Sequence, residues 1–127
     1  MLPFSVALRS GLSVHEQVVF AVKRACVSGQ LRPGDDFPSV RALSHELRIN
    51  PNTAHKIVAT LTAEGLLEVR PGLGTVVAKA PAGSRAQCRT VLRDDVERVV
   101  VEARKLSLDL QDVLDAVRDR WNHLDRR

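Results

Sequence analysis

Asn50-Pro51-Asn52-Thr53-Ala54-His55-Lys56 is the stretch on which the fold turns. Asn50 is a favoured N-cap, able to accept an orphan backbone N–H through its side-chain oxygen. Pro51 suits the first helical position, where no N–H is needed, and it pushes Asn50 out of helical geometry. The spacing predicts a helix from here to about Glu64, ended by Gly65 as a left-handed C′ residue. Ala54, Ile57, Val58 and Leu61 form its apolar stripe. At roughly 100° per residue, Asn52 and Lys56 fall opposite that stripe, with Thr53 and His55 on its flanks. Amide, hydroxyl, imidazole and ammonium groups therefore point outward from the first turns. These are the groups that base edges and phosphates require. For an isolated helix, a merely solvated polar face is the more ordinary explanation, so the flanking elements decide.

Upstream, Ser13 and Glu16 have capping-box spacing and open a helix over 13–28. Its apolar set is Val14, Val18, Val19, Ala21, Val22, Ala25 and Cys26, with Phe20 added. That is broader than one stripe needs, so another element or subunit is expected to cover part of it. Before it, Phe4-Ser5-Val6-Ala7-Leu8 alternates like a short strand. Gly29 and the Pro33-Gly34 turn end the first helix, and Asp35-Asp36-Phe37-Pro38 follows as an extended piece. Ser39 caps a second helix over 39–47, with Val40, Leu43 and Leu47 inward and Arg41, His45 and Arg48 on or near its outer side. Arg48-Ile49 is a tight link to Asn50. Two short helices so joined, the second polar at its start, make a helix-turn-helix. Downstream, Leu66–Arg70 and Thr75–Ala78 have strand composition around Pro71-Gly72-Leu73-Gly74, a hairpin turn. Three helices and a hairpin, in that order, describe a winged helix. Its tip, Arg70 to Gly74, can approach a DNA backbone or minor groove: glycine permits closeness and arginine supplies charge.

The chain of 127 residues carries a formal charge of +4, with a pI of about 9.7. Residues 1–80 hold nine Lys and Arg against six Asp and Glu; residues 81–127 hold ten against nine. Most of the excess lies on the winged part, which suits a polyanionic partner. Three Phe, one Trp and no Tyr are too few aromatics for a single-strand stacking platform. Met1-Leu2-Pro3-Phe4 lacks the basic start and apolar run of a signal peptide, and no stretch has the length of a membrane span. Cys26 and Cys88 lie far apart with no C-x-x-C; Cys26 falls on an apolar face and Cys88 in a more polar stretch. A soluble, cytoplasmic, reduced protein is expected.

Lys79–Ser84 reads as a linker. It divides the chain into a winged domain, 1–79, and a helical region, 85–127. A helix over 85–106 carries Val91 or Leu92, Val96, Val99, Val100, Ala103 and Leu106 as apolar positions. Ser107 is expected to cap a last helix, with Asp109 and Asp112 near its positive end. Leu110, Val113, Leu114, Val117, Trp121 and Leu124 form its stripe. Two such helices cannot enclose a core alone. They need the winged domain, a second copy, or both.

Leu31-Arg32-Pro33-Gly34-Asp35-Asp36-Phe37-Pro38-Ser39-Val40-Arg41-Ala42-Leu43-Ser44 resembles the L-x-P-G-x-x-L-P-S-x-R-x-L-A signature of GntR-family bacterial transcription regulators. Ile49-Asn50-Pro51-Asn52-Thr53 is similar to their V-N-P-N-T. Glu64-Gly65-Leu66-Leu67 and Arg70-Pro71-Gly72-Leu73-Gly74-Thr75 look like their wing. The resemblance spans about residues 12–78. The short tail looks like the YtrA-type branch, in which a helical hairpin mediates dimerisation and transporter operons are common targets. It implies a mainly α fold with a small β-hairpin: a winged helix-turn-helix, then a two-helix dimerisation hairpin. It implies a dimeric repressor of a palindromic operator in double-stranded DNA. By position, Arg41, Asn50, Asn52, Thr53 and His55 match contacting residues, and Gly72 the wing-tip glycine. Lys56, Arg70 and Gly74 complete the expected DNA face. Leu110, Val113, Leu114, Val117, Trp121, Val99 and Ala103 make up the expected dimer face. Departures from the pattern are His55, where relatives carry Arg or a small polar residue; Ser13 and His15 in place of Pro and Tyr, with Gln17 retained; and Phe37 for Leu.

Other functions fit less well. The four His, at 15, 45, 55 and 123, are scattered, and no nucleophile elbow or H-x-x-x-H appears. No enzyme activity, metal or cofactor is expected. A winged-helix interaction module that no longer binds DNA is the main rival, opposed by Arg41, Asn50, Asn52, Thr53 and Gly72. A small-molecule effector stays open and unnamed.

Overall fold

A computed structural model describes residues 2–79 and 85–124. The chain falls into two compact units, Met1–Pro81 and Ala82–Arg127. The expected linker lies almost wholly in 80–84, outside the described residues.

In the first unit, α1 spans Val14–Ser28. Ser13 caps it, its hydroxyl accepting from Glu16 N at 3.2 Å. Gly29 ends it at φ 84°. Val18, Val19, Val22 and Ala25 are buried, while Phe20 is 65% exposed and lies off the core. α2 spans Val40–Leu47, capped by Ser39, whose hydroxyl accepts from Ala42 N at 3.1 Å. α3 spans Pro51–Ala63. Gly65, at φ 80°, supplies the left-handed turn after it, and Leu66 N donates back to Leu61 O at 2.9 Å. α3 packs on α1, α2 and the hairpin, and Ala54, Ile57 and Leu61 are wholly buried. Burial of side chains the size of Ile57 and Leu61 stabilises by about 1.5–3 kcal/mol each.

The hairpin pairs β1, Leu67–Arg70, antiparallel with β2, Gly74–Val77, with Leu67 opposite Val77 and Arg70 opposite Gly74. The expected extended piece at 35–38 becomes a third rung. Gly34 N donates to Val77 O and Val77 N to Asp35 O, both at 2.8 Å, and Phe37 N donates to Thr75 O at 2.9 Å. Because Ser39 begins α2 directly afterwards, these bonds tie the wing to the helix-turn-helix.

Residues 4–8 are not a strand. Residues 34–37 already occupy the side of β2 away from β1. The segment is held by side chains: the Phe4 ring stacks on Phe37 with centroids 5.8 Å apart. Gln17 fastens the following loop. Its Oε1 accepts from Arg9 N at 2.8 Å, and its Nε2 donates to Arg9 O at 3.1 Å and Leu12 O at 3.2 Å.

The second unit holds α4, Arg85–Lys105, and α5, Leu110–Leu124. Ser107 does not cap α5. It sits at φ 60° in the turn. Asp109 caps instead: its Oδ1 accepts from Asp112 N at 2.9 Å, and Asp112 Oδ2 accepts from Asp109 N at 3.0 Å. This reciprocal pair satisfies two orphan donors and sets two carboxylates at the positive helix end, which one hydroxyl two residues earlier cannot match. Ala103 is the buried apolar residue of this unit among those described. The other apolar positions stay open: Val99 is 49% exposed, Leu110 72%, Leu114 44%, Val117 52% and Trp121 71%, with Val113 half-buried.

Candidate nucleic-acid interface

The cap of α3 forms as its sequence dictates. Asn50 is extended, at φ −60° and ψ 134°, and its Oδ1 accepts from Asn52 N at 2.8 Å. That oxygen is therefore committed to the helix, leaving the Asn50 amide NH2 for an outside partner. With Ala54 and Ile57 fixing the buried side, Asn52, His55 and Lys56 are exposed and Thr53 is half-buried. From behind, His15 Nε2 on α1 meets Thr60 Oγ1 on α3 at 2.8 Å. Lys23 Nζ on α1 meets Glu64 Oε1, just after α3, also at 2.8 Å. These contacts, with the buried stripe, fix how α3 presents its polar side.

The turn before α3 uses left-handed backbone at Arg48, φ 55° and ψ 48°. Arg48 N donates to His45 O at 3.3 Å and Ile49 N to Ser44 O at 3.0 Å, closing α2. A non-glycine residue there costs about 1 kcal/mol relative to glycine. Arg41, Ser44, His45, Glu46, Arg48 and Ile49 line one polar concavity on this side of the molecule. The sequence places Arg48 on or near the outer side of α2 and assigns it no role; its left-handed backbone is visible only in the structure.

At the wing, Gly72 has φ 80° and Gly74 φ 86°, and Leu73 N donates to Arg70 O at 3.0 Å, making the turn tight. A Cβ at Gly72 or Gly74 would meet nothing within 4 Å, so the demand for glycine here is one of backbone angle. Arg70 is half-buried and already partnered. Its Nη2 lies 2.7 Å and its Nε 3.0 Å from Glu68 Oε1. Leu73, 68% exposed at the tip, is a further outward residue that composition did not single out.

Among the described residues, no group of three or more His, Cys, Asp or Glu side chains is placed to hold a metal ion, and no helix is long and apolar enough to cross a membrane. Cys26 is half-buried, and burial raises its thiol pKa above the ordinary value. Cys88 is exposed.

Comparison with known proteins places this architecture. The profile for bacterial regulatory proteins of the gntR family matches residues 14–77, from the start of α1 to the end of β2. The HTH-type transcriptional repressor YtrA of Bacillus subtilis is 29% identical over 104 residues, covering 81% of this chain and 80% of that protein. A crystal structure of a transcriptional antiterminator from Listeria monocytogenes superposes with a TM-score of 0.82 at 21% identity, covering 98% of this chain and 93% of that one. YtrA from Sulfolobus acidocaldarius, a GntR-family transcription factor, superposes with a TM-score of 0.59 at 22% identity, covering 94% and 97%. At such identities the two structures speak for the fold, and the matched profile speaks for the family. This chain belongs to the GntR family of bacterial regulatory proteins and is a DNA-binding transcriptional regulator with a winged helix-turn-helix.

Proposed function

We propose that this regulator is a dimeric repressor that binds a palindromic operator through α3 and the wing. The observation that carries the reading is the capped start of α3, which exposes Asn52, His55 and Lys56 in consecutive turns above a wholly buried Ala54 and Ile57. In this reading α3 enters the major groove. Asn52, with His55 and Lys56, reads base edges, each good bidentate pair discriminating by about 1–3 kcal/mol. Arg41, Thr53, the free amide of Asn50 and Arg70 hold phosphates and set register. Gly72 and Gly74 let the wing backbone approach the duplex.

The division of labour follows the chain: residues 1–79 bind DNA and residues 85–127 join two copies. In support, α4 and α5 leave Val99, Leu110, Leu114, Val117 and Trp121 exposed, an apolar surface larger than a lone helix pair would keep in water. A two-fold dimer presents two α3 helices and so favours an inverted repeat, its half-sites a helical turn or more apart. Repression is the role named for the Bacillus relative. Control of a transporter operon follows from the YtrA-type resemblance, and the cytoplasm is where such a protein would meet the chromosome. An effector, if one is used, would alter half-site spacing by acting on the dimer.

Selection of bound duplexes from a random-sequence pool tests DNA binding, symmetry and spacing together. An inverted repeat is expected. Enrichment of a single unrepeated half-site would remove the dimeric operator reading, and no enrichment would remove sequence-specific binding.

A further inference from the structure

We infer that Arg48 is a phosphate-binding residue of this regulator, kept at the turn of the helix-turn-helix in a backbone conformation better suited to glycine. The inference rests on the DNA-binding reading above and adds a residue which that reading leaves out.

The turn needs a left-handed residue at position 48, and it does not need an arginine. The bonds that close α2 run from the backbone N–H groups of Arg48 and Ile49 to the carbonyls of His45 and Ser44. None of them involves the guanidinium. Glycine or asparagine adopts φ 55° more readily. An unfavourable backbone on a binding face points to a use for the side chain.

What that use is follows from the surroundings. Arg48 is exposed. Arg70 is engaged by Glu68 and Lys23 by Glu64. By contrast, neither Arg48 nor Arg41 has a carboxylate within ion-pair distance among the described residues. Both line the same concavity, with His45 beside them. Glu46 is also on its wall and offsets part of the charge. Arg48 lies two residues before Asn50, at the N-terminal end of α3, where the helix dipole also favours an anion. A planar guanidinium with free N–H donors there suits a phosphate of the duplex backbone. A phosphate contact is indifferent to sequence, which separates this role from that of Asn52.

The test uses the full chain, a duplex selected by the protein from a random pool, and an unrelated duplex of the same length. Arg48→Asn keeps a residue that tolerates the left-handed turn and removes the charge. It is expected to melt no lower than the wild type and to bind both duplexes about tenfold more weakly. The slope of log affinity against log salt should become shallower by about one. Arg48→Gly should repeat the result on a second compatible backbone, and Arg48→Lys should recover most of the slope. Wild-type affinity and slope in Arg48→Asn, with wild-type protein still binding its selected duplex, would overturn the inference and leave the DNA-binding reading intact. A loss confined to the selected duplex would make Arg48 a base reader and would equally overturn it. Absence of salt-dependent binding by the wild type would overturn both.

Discussion

Glu68 accepts two hydrogen bonds from Arg70 on the same face of β1, from Nη2 at 2.7 Å and from Nε at 3.0 Å. The wing's only arginine is thus already paired with a carboxylate before any DNA arrives. Both groups are more than 40% exposed, so the pair stabilises the fold by only about 0–1 kcal/mol. Its larger effect is on the field that a phosphate meets. Glu68→Gln should leave the melting temperature nearly unchanged. It should tighten binding to unrelated duplex by about threefold to tenfold at low salt, with a smaller gain at high salt. Fluorescence anisotropy across a salt series checks this. Unchanged or weaker binding would mean that the carboxylate helps the arginine by orienting it.

The apolar face of the second unit gives the second prediction. Leu114 is 44% and Val117 52% exposed, on the same face of α5 as Trp121 at 71%. A charge at the centre of a dimer core leaves an uncompensated ion on association. Leu114→Asp with Val117→Glu should therefore give a monomer by light scattering, and operator affinity should fall with it. A mass that stays dimeric would move the interface elsewhere, for instance to the exposed Phe20 and Val27 on α1.

A contrast at the turn between α4 and α5 gives the third. Asp109 and Asp112 cap each other's backbone N–H groups, whereas Ser107 only occupies a left-handed position. Asp109→Ala should destabilise this unit by about 0.5–2 kcal/mol, read by chemical denaturation. Ser107→Gly should be neutral or stabilising. The reverse ranking would restore Ser107 as the cap.

That contrast also marks how far the sequence could be read. Helices α1 to α3 and the hairpin were legible because several local signals agreed: Ser13 with Glu16, Asn50 with Pro51, and glycines at 29, 65, 72 and 74. Residues 4–8 misled because alternation alone does not reveal whether a sheet edge is free, and 34–37 had taken it. At the α4–α5 turn, serine and aspartate are both good caps, and only the chain path distinguishes them. Within the candidate DNA face, exposure at Asn52, His55 and Lys56 followed from helical period. The commitment of Asn50 Oδ1 to the cap followed from the Asn-Pro pair, whereas the engagement of Arg70 by Glu68 through two hydrogen bonds was invisible to any pattern, because it depends on rotamers.

The last prediction separates reading from folding within one helix. Asn52 is exposed on α3, and five residues on, Ile57 is wholly buried. Asn52→Ala removes an outward amide and leaves the core untouched; alanine is also the better helix former. It should keep or slightly raise the melting temperature while weakening the selected duplex by about 1–3 kcal/mol, with little change on unrelated DNA. Ile57→Ala should do the opposite: a loss of about 2–5 kcal/mol in stability, from lost transfer energy and a cavity beneath the helix. Its folded fraction should bind nearly as the wild type does. Denaturation and anisotropy on the same two proteins check this. If Asn52→Ala binds both duplexes like the wild type, sequence reading belongs to other residues of α3, with His55 and Lys56 the next to substitute.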